Sequence, residues 1–361
     1  MRLLVLTNIP TPNQNEFFVT LSRACDLLVL YQAAKEPERK WRDQDPGSRY
    51  PHRFLPGVRV IRDIHWNGGV RREIERFRPD VMIISGTYLS PTFRVAARRA
   101  QAMGIPWLAW SEPLQDWSGL RRALLGRSRR LFVQAAHVLA IGTRAKEAFL
   151  ALGVPSPTIS LFPYVSDPGR FTVRSPRLET DEGPVRVVYC GSLIKRKNVE
   201  ILLRALEAAS SSRLTLTIVG TGPLQGQLSQ LAATLGVSER VSFRGFIAPS
   251  DWPGTLATFD ALALPSVRDG WGLVIEEALH SAVPVLVSDR VGASDLVQEG
   301  VNGRILPLSL DAWSGALREI SDPRAISALQ RGAMASRRPQ ALGGAVRQLL
   351  EIVETVVDPH G

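Results

Sequence analysis

The stretch "VRVVYCGSLIKRKNVEILLRAL", residues 185–206, holds a six-residue apolar run, a glycine, a short basic loop and an amphipathic segment. That order reads as a buried β-strand feeding a helix, with Gly191 allowing close approach of the backbone where the chain turns. Lys195, Arg196 and Lys197 stand just ahead of the helix, whose first N–H groups have no partner within it. Cations beside such donors suit a phosphate or diphosphate, although a short solvated loop carries the same letters.

The rhythm repeats on both sides. Toward the C-terminus come "RLTLTIVG" (213–220), "RVSFRGF" (240–246), "FDALALP" (259–265), "VPVLVS" (283–288) and "GRILPL" (303–308). Toward the N-terminus lie "RLLVLT" (2–7), "DLLVLY" (26–31), "VRVI" (58–61), "DVMIIS" (80–85), "IPWLAW" (105–110), "HVLAIG" (137–142) and "TISLFP" (158–163), all read as buried strands. Helical periodicity fills most gaps, as at 91–103 and 143–152. Near-continuous apolar strands alternating with helices predict parallel sheets covered on both faces. Residues 167–184 lack a period and are rich in Pro, Gly and charge, so they read as a linker. The predicted fold is α/β, with two doubly wound Rossmann-like domains at 1–166 and 185–340 facing a central cleft. A final helix at 341–357 has Val346, Leu349, Leu350, Val353 and Val357 on one face and is expected to pack back on the first domain.

At 361 residues the chain exceeds what one core usually supports. No apolar run reaches the roughly 18 residues of a membrane span. "MRLLVLTNIP" reads as a first strand and not as a signal peptide. Cys25 and Cys190 lie far apart and form no metal-type pair, so a reduced, cytoplasmic protein is expected.

Charge is lopsided. Residues 1–170 hold 25 Lys+Arg against 14 Asp+Glu, leaving 19 against 20 for the remainder. A basic N-terminal half suits an anionic partner; an Arg-rich composition, 39 Arg to 5 Lys, is the alternative source. Residues 116–136 interleave Arg121, Arg122, Arg127, Arg129 and Arg130 with Trp117, Leu120, Leu124, Leu125, Leu131 and Phe132. That mixture predicts an anionic membrane surface, or a core helix with a basic outer face. No nucleic-acid motif accompanies the charge, so no nucleic-acid partner is expected.

A second strand-to-helix turn follows "FDALALP": "DGWGLVIEEALHSAVPVLVSD", residues 269–289. Gly270 and Gly272 expose amides at the expected helix start, with Asp269 before it and Glu277 about two turns in. At 1.5 Å per helical residue the two acids stand about 8–12 Å apart, close to the span of a nucleotide diphosphate-sugar from sugar ring to ribose. Acids at the two ends suit hydroxyls, and amides between them suit phosphates. A third turn, "IVGTGPLQGQLSQL" (218–231), departs from the G-x-G-x-x-G fingerprint and disfavours a dinucleotide site.

Together these segments resemble the retaining GT-B glycosyltransferases of the family 4 type (glycosyl transferases group 1). That family carries an E-x7-E element in a "P-S-x-x-E-G-F-G-L-x-x-x-E-A" frame. Pro265-Ser266, Asp269-Gly270-Trp271-Gly272-Leu273 and Glu277-Ala278 match it. Gly191-Ser192-Leu193 and Lys197-Asn198 are similar to the family's "G-R-L-x-x-x-K-G" loop. "VGTGPL" (219–224), "VSFRGF" (241–246) and "VGASDLVQEGVNGRIL" (291–306) resemble its neighbouring segments.

The resemblance implies transfer of a sugar from a nucleotide-sugar, UDP- or GDP-linked, to a hydroxyl of a saccharide or lipid-linked saccharide. It implies retention of configuration, no metal and no cofactor, and a place in bacterial surface polysaccharide or glycolipid synthesis at the inner face of the membrane. Lys197 would hold the diphosphate, Glu277 the ribose and Asp269 the donor sugar. Gly191, Ser192, Gly270, Trp271, Gly272 and Leu273 would line the phosphate region, and Arg244, Gly245 and Phe246 the base.

Three departures stand out. Ser192 replaces the family's diphosphate-binding Arg, with Arg196 as a candidate substitute. Asp269 is one methylene shorter than the usual Glu. The family's glycine-rich first loop is replaced by "TNIPTPNQNEF" (7–17), expected as a loop shaping the acceptor site through Asn13. Where the family has a His after the strand near 105–110, this chain has Ser111 and Glu112, which become acceptor-side candidates. A regulatory protein that binds a nucleotide-sugar without turnover is the rival reading, kept open by Ser192. An epimerase- or phosphorylase-type enzyme has no cue in the sequence.

Overall fold

The computed structural model describes residues 1–35, 46–61, 64–112 and 129–358. They form two compact units, Met1–Ser166 with Ala341–Gly361, and Asp167–Gln340. Each is built on one parallel sheet.

In the first unit the strands are β1 (Arg2–Thr7), β2 (Asp26–Tyr31), β3 (His52–Phe54), β4 (Gly57–Ile61), β5 (Ile64–Asn67), β6 (Val81–Ser85), β7 (Trp107–Ser111), β8 (His137–Ala140) and β9 (Ile159–Leu161). The main sheet runs β3-β2-β1-β6-β7-β8-β9, with every pair parallel. All five residues of β6 and of β7 are buried. Successive side chains point to opposite faces, so both faces of the sheet are covered. Leu4, Leu6, Ile84, Phe93, Trp107 and Phe149 lie in one hydrophobic core.

The second unit continues with β10 (Val185–Cys190), β11 (Leu214–Val219), β12 (Val241–Gly245), β13 (Ala261–Leu264), β14 (Val285–Ser288) and β15 (Gly303–Leu306), in the order β12-β11-β10-β13-β14-β15. All of its pairs are parallel too. Winding starts at β10, proceeds to β12 on one side, then returns to β13 on the other. The switch point of such a sheet lies between β10 and β13, where the direction of winding reverses.

Residues 167–184 are irregular apart from a 3-10 turn at Pro168–Arg170 and belong to the second unit. Their anchor is Asp260, which is fully buried. Arg174 pairs with its Oδ1; Arg177 Nη1 and Arg186 Nε stand 3.3 and 3.2 Å from Oδ2. After the second unit the chain returns to the first. Helix Ala341–Val357 buries Ala345, Val346, Leu349 and Val353, and Gln348 Nε2 donates to the Leu161 carbonyl at 3.0 Å.

Two expectations need correction. Residues 58–61 do not form a buried strand of the parallel sheet. They lie in β4, which pairs antiparallel with β5, and Val58 and Val60 are 59% and 60% exposed. Valine's preference for extended backbone is indifferent to burial, so a short apolar run does not reveal which sheet it joins. Residues 7–17 are not one loop either: a helix, Pro12–Leu21, starts within them with Pro12 in its first turn. Proline fits there because its missing N–H has no helical partner to lose.

Candidate functional site

The loops leaving β10 and β13 meet at the switch point of the second sheet. The first begins at Gly191, where an added Cβ would lie 2.7 Å from the Tyr189 hydroxyl. That hydroxyl donates to the Ser192 carbonyl at 3.0 Å and pins the turn. Gly220, at the end of β11, has φ +130°, and a Cβ there would fall 1.9 Å from the Gly191 carbonyl oxygen. Two glycines therefore let these loops touch backbone to backbone. Lys195–Lys197 then form a single 3-10 turn, Asn198 takes a left-handed conformation, and helix Val199–Ala209 follows.

The second loop runs from Pro265 to Leu273. Val267 N–H donates to the Arg196 carbonyl at 2.8 Å, which ties the two loops together. Asp269 bridges to Val291: its N–H donates to the Arg290 carbonyl at 3.3 Å and its carbonyl accepts from Gly292 N–H at 3.1 Å. Ala293 N–H donates to the Trp271 carbonyl at 2.7 Å, and a Cβ on Gly292 would fall 2.0 Å from the Gly270 carbonyl oxygen. The segment 291–296 is thus the mould against which Gly270-Trp271-Gly272 is shaped. Trp271 is buried in that mould, and Leu273 is half-buried.

Here the helix starts later than expected. It spans Val274–His280, because Gly272 has φ +87° and holds residues 270–272 out of helical conformation. Glu277 therefore stands in the first turn and not the second. Negative charge in a first turn is favoured by the helix dipole. Its neighbour Glu276 is buried against His280, with Glu276 Oε1 3.9 Å from His280 Nε2.

Side chains converge between the loops. Lys197 Nζ pairs with Asp269 Oδ2, and Arg196 Nη1 approaches Asp269 Oδ1 at 3.3 Å while donating to the Arg268 carbonyl at 2.5 Å. Arg196 is therefore committed to the Asp269 loop, and Ser192 is exposed beside it. Glu277 Oε2 accepts from the Trp252 indole Nε1 at 2.9 Å. Burial pushes the Glu277 carboxyl above its ordinary range; the Trp252 hydrogen bond and the Arg170 charge pull the other way. Cys190, the last residue of β10, feels the charges of both Glu277 and Lys197. Its thiol is raised first by burial and further by Glu277, while Lys197 opposes that rise.

Of the base-region residues, Gly245 (φ +68°) ends β12 and its carbonyl accepts from Gly220 N–H at 2.7 Å. Arg244 and Phe246 are exposed on either side of it. In the first unit, Asn13 sits in the first turn of helix Pro12–Leu21, where its Oδ1 accepts from the Thr11 hydroxyl at 3.0 Å. Ser111 is the buried last residue of β7, and its hydroxyl is 3.5 Å from the Glu112 carbonyl. No described hydrogen bond joins Asn13 to Ser111 or Glu112. Of the basic segment 116–136, residues 116–128 lie outside the described residues. No described helix is long and apolar enough to cross a membrane.

Sequence reasoning missed Trp252 and Arg170. Trp252 opens the short helix Trp252–Leu256, and Arg170 Nη2 donates to the Pro249 carbonyl at 3.0 Å. Neither belongs to a periodic or glycine-marked pattern.

Residues 184–322 match the model of the glycosyl transferases group 1 family. An uncharacterized glycosyltransferase of Methanocaldococcus jannaschii is 31% identical over 140 residues, which cover 38% of this chain and 36% of that protein. A GDP-mannose-dependent alpha-(1-6)-phosphatidylinositol monomannoside mannosyltransferase of Mycolicibacterium smegmatis is 29% identical over 219 residues, 56% of this chain and 57% of that one. The chain thus spans only about a third to just over half the length of these curated relatives. Among solved structures, Anabaena HepE in complex with UDP superposes with a TM-score of 0.81 at 19% identity, over 98% of this chain and 100% of that one. WaaG, a glycosyltransferase involved in lipopolysaccharide biosynthesis, gives 0.68 at 16% identity, over 97% and 99%. The fold shared with these glycosyltransferases is GT-B.

Proposed function

We propose that the chain, whose residues 184–322 match the glycosyl transferases group 1 model and whose fold is GT-B, transfers a sugar from a nucleotide-sugar to an acceptor hydroxyl. The observation that carries this reading is the meeting of Lys197, Arg196 and Asp269 at the switch point of the second sheet, with Glu277 on the helix that follows. Lys197 and the amides around Gly272 and Leu273 take the diphosphate. Asp269 takes hydroxyls of the donor sugar, and Glu277 those of the ribose. Gly245 and its neighbours Arg244 and Phe246 border the base.

Transfer breaks the bond between the sugar's anomeric carbon and the diphosphate oxygen, and forms one to the acceptor oxygen. Negative charge grows on the leaving diphosphate. Fixed cations and backbone amides stabilise it most when they are already in place. The departing phosphate oxygen accepts the acceptor proton, so the sugar keeps its configuration and no separate base is needed. Lys197 supplies the charge that a divalent ion supplies in other transferases.

UDP or GDP is the favoured donor nucleotide. HepE has been solved with UDP and with UDP-glucose, and the mycobacterial relative is GDP-mannose-dependent by name. The acceptor is a saccharide or lipid-linked saccharide, met through Asn13, Ser111 and Glu112. The basic first 170 residues, with the Arg-rich segment 116–136, favour peripheral attachment to an anionic membrane.

A thermal-shift screen of UDP-, GDP- and ADP-sugars tests the donor site. The cognate donor should raise the melting temperature as its concentration passes Kd, through mass action. No shift with any of them would sink the reading. Sedimentation with anionic and neutral vesicles tests the membrane half, and equal non-binding to both would remove it.

A further inference from the structure

Glu277 is held from behind by a group that no motif announces. Trp252 is 7% exposed, and its indole Nε1 donates to Glu277 Oε2 at 2.9 Å across 25 residues of sequence. The indole N–H is a donor with no acceptor capacity. It ties one carboxylate oxygen and leaves the other to accept from a ligand hydroxyl. The other oxygen, Oε1, has no hydrogen-bond partner among the described residues. The segment that carries Trp252 is itself fixed twice. Trp252 N–H donates to the Ala248 carbonyl at 3.0 Å, and Arg170 Nη2 donates to the Pro249 carbonyl at 3.0 Å. This segment starts three residues after Gly245, the end of the strand that borders the base.

We propose that Trp252 is a positioning residue for nucleotide recognition: it holds the Glu277 carboxylate with Oε1 presented to the ribose hydroxyls, and so sets the preference for ribonucleotides over 2′-deoxynucleotides. The proposal rests on the donor-site reading above. Its physical basis is the cost of a loose carboxylate. A carboxylate with one oxygen tied has a single orientation for its second oxygen, so it loses less freedom on accepting a hydroxyl. A hydrogen bond from a ligand hydroxyl to a charged group in a desolvated site is also among the stronger kinds. Without the indole N–H, the carboxylate turns to whichever donor is nearest and the ribose loses its fixed acceptor. The same N–H favours the ionised carboxyl, the form able to accept from hydroxyls.

The test is calorimetric titration of UDP, GDP and their 2′-deoxy counterparts into the wild-type chain, Trp252→Phe and Glu277→Gln. The wild type should prefer the ribonucleotide by about tenfold or more. In Trp252→Phe the ribonucleotide should weaken while the deoxynucleotide holds, so the ratio falls toward one. Glu277→Gln should lower the ratio likewise. An unchanged ratio in folded Trp252→Phe overturns the proposal and leaves the donor site standing. No binding of any nucleotide by the wild type overturns both.

A variant that fails to fold is met by a measurement on the intact tryptophan, the indole 15N–1H resonances of the wild type and Glu277→Gln. One indole resonance should move when Glu277 is neutralised, and move differently with UDP and 2′-deoxy-UDP. Tryptophan indoles that all respond identically to both nucleotides would also overturn it.

Discussion

Lys197 Nζ and Asp269 Oδ2 form an ion pair across 72 residues of sequence, and both side chains are largely buried, at 13% and 15% exposure. The pair joins the loop after β10 to the loop after β13. On the proposed donor-site reading, a diphosphate that takes Lys197 draws it from Asp269, which is freed for hydroxyls of the donor sugar.

Lys197→Ala removes the cation closest to the expected leaving group. We expect kcat/KM to fall by about a hundredfold or more, the scale seen when one preorganised charge-stabilising group is lost. Steady-state kinetics with the cognate donor decides this, and near-normal turnover would refute the role. Arg196 is not expected to compensate in full, because its guanidinium is also held by the Arg268 carbonyl.

Glu277→Gln should separate stability from function. Burial raises the folded-state pKa of Glu277 above its unfolded value, so folding favours the protonated form. Stability from this group is greatest below the unfolded pKa and declines as pH rises through the window up to the raised folded value. Glutamine has no such decline. Without ligand, the variant should gain melting temperature over wild type as pH rises through that window, while its nucleotide affinity drops about tenfold or more. Melting curves at several pH values, paired with titration, check both halves.

Asp260→Ala should destabilise the second unit strongly. It leaves Arg174 and Arg177, 13% and 6% exposed, without their shared carboxylate. Breaking a buried ion cluster by removing one partner costs about 3–5 kcal/mol. The more exposed Arg186 adds little to that figure. A lowered urea midpoint and faster proteolysis within 167–184 are the expected signs.

Gly220→Ala should disturb the phosphate region without touching a charged group. At φ +130°, and with the Gly191 carbonyl oxygen 1.9 Å from the added Cβ, the backbone must move. Overpacking of this kind costs about 1–3 kcal/mol. Nucleotide affinity should fall with it, because Gly191 starts the loop that carries Lys197.

Much of the fold could be read from the letters. Apolar runs bounded by glycine or charge delimit β10 and helix Ala341–Val357 to the residue, and the alternation of strands and helices identifies both parallel sheets. What stayed hidden depends on tertiary context. His52–Phe54 is a three-residue edge strand without a buried run, and β4 is valine-rich but solvated. The late start of the Glu277 helix depends on the left-handed Gly272, and glycine letters alone do not say which of two will adopt that conformation. At the site, local spacing pointed to the loops carrying Lys197, Asp269 and Glu277. The hydrogen bond from Trp252 to Glu277 lies between distant segments, where no periodicity reaches.

The return of helix Ala341–Val357 to the first unit means that order of synthesis and order of completion differ. The second unit is a continuous stretch, 167–340, and can finish folding as it leaves the ribosome. The first unit is translated earlier, yet it waits for Val346, Leu349 and Val353 to cover it. A released chain ending at residue 340 would therefore hold all of the second unit and an incomplete first one. Nascent-chain damage near the C-terminus would be felt in the half of the molecule made first.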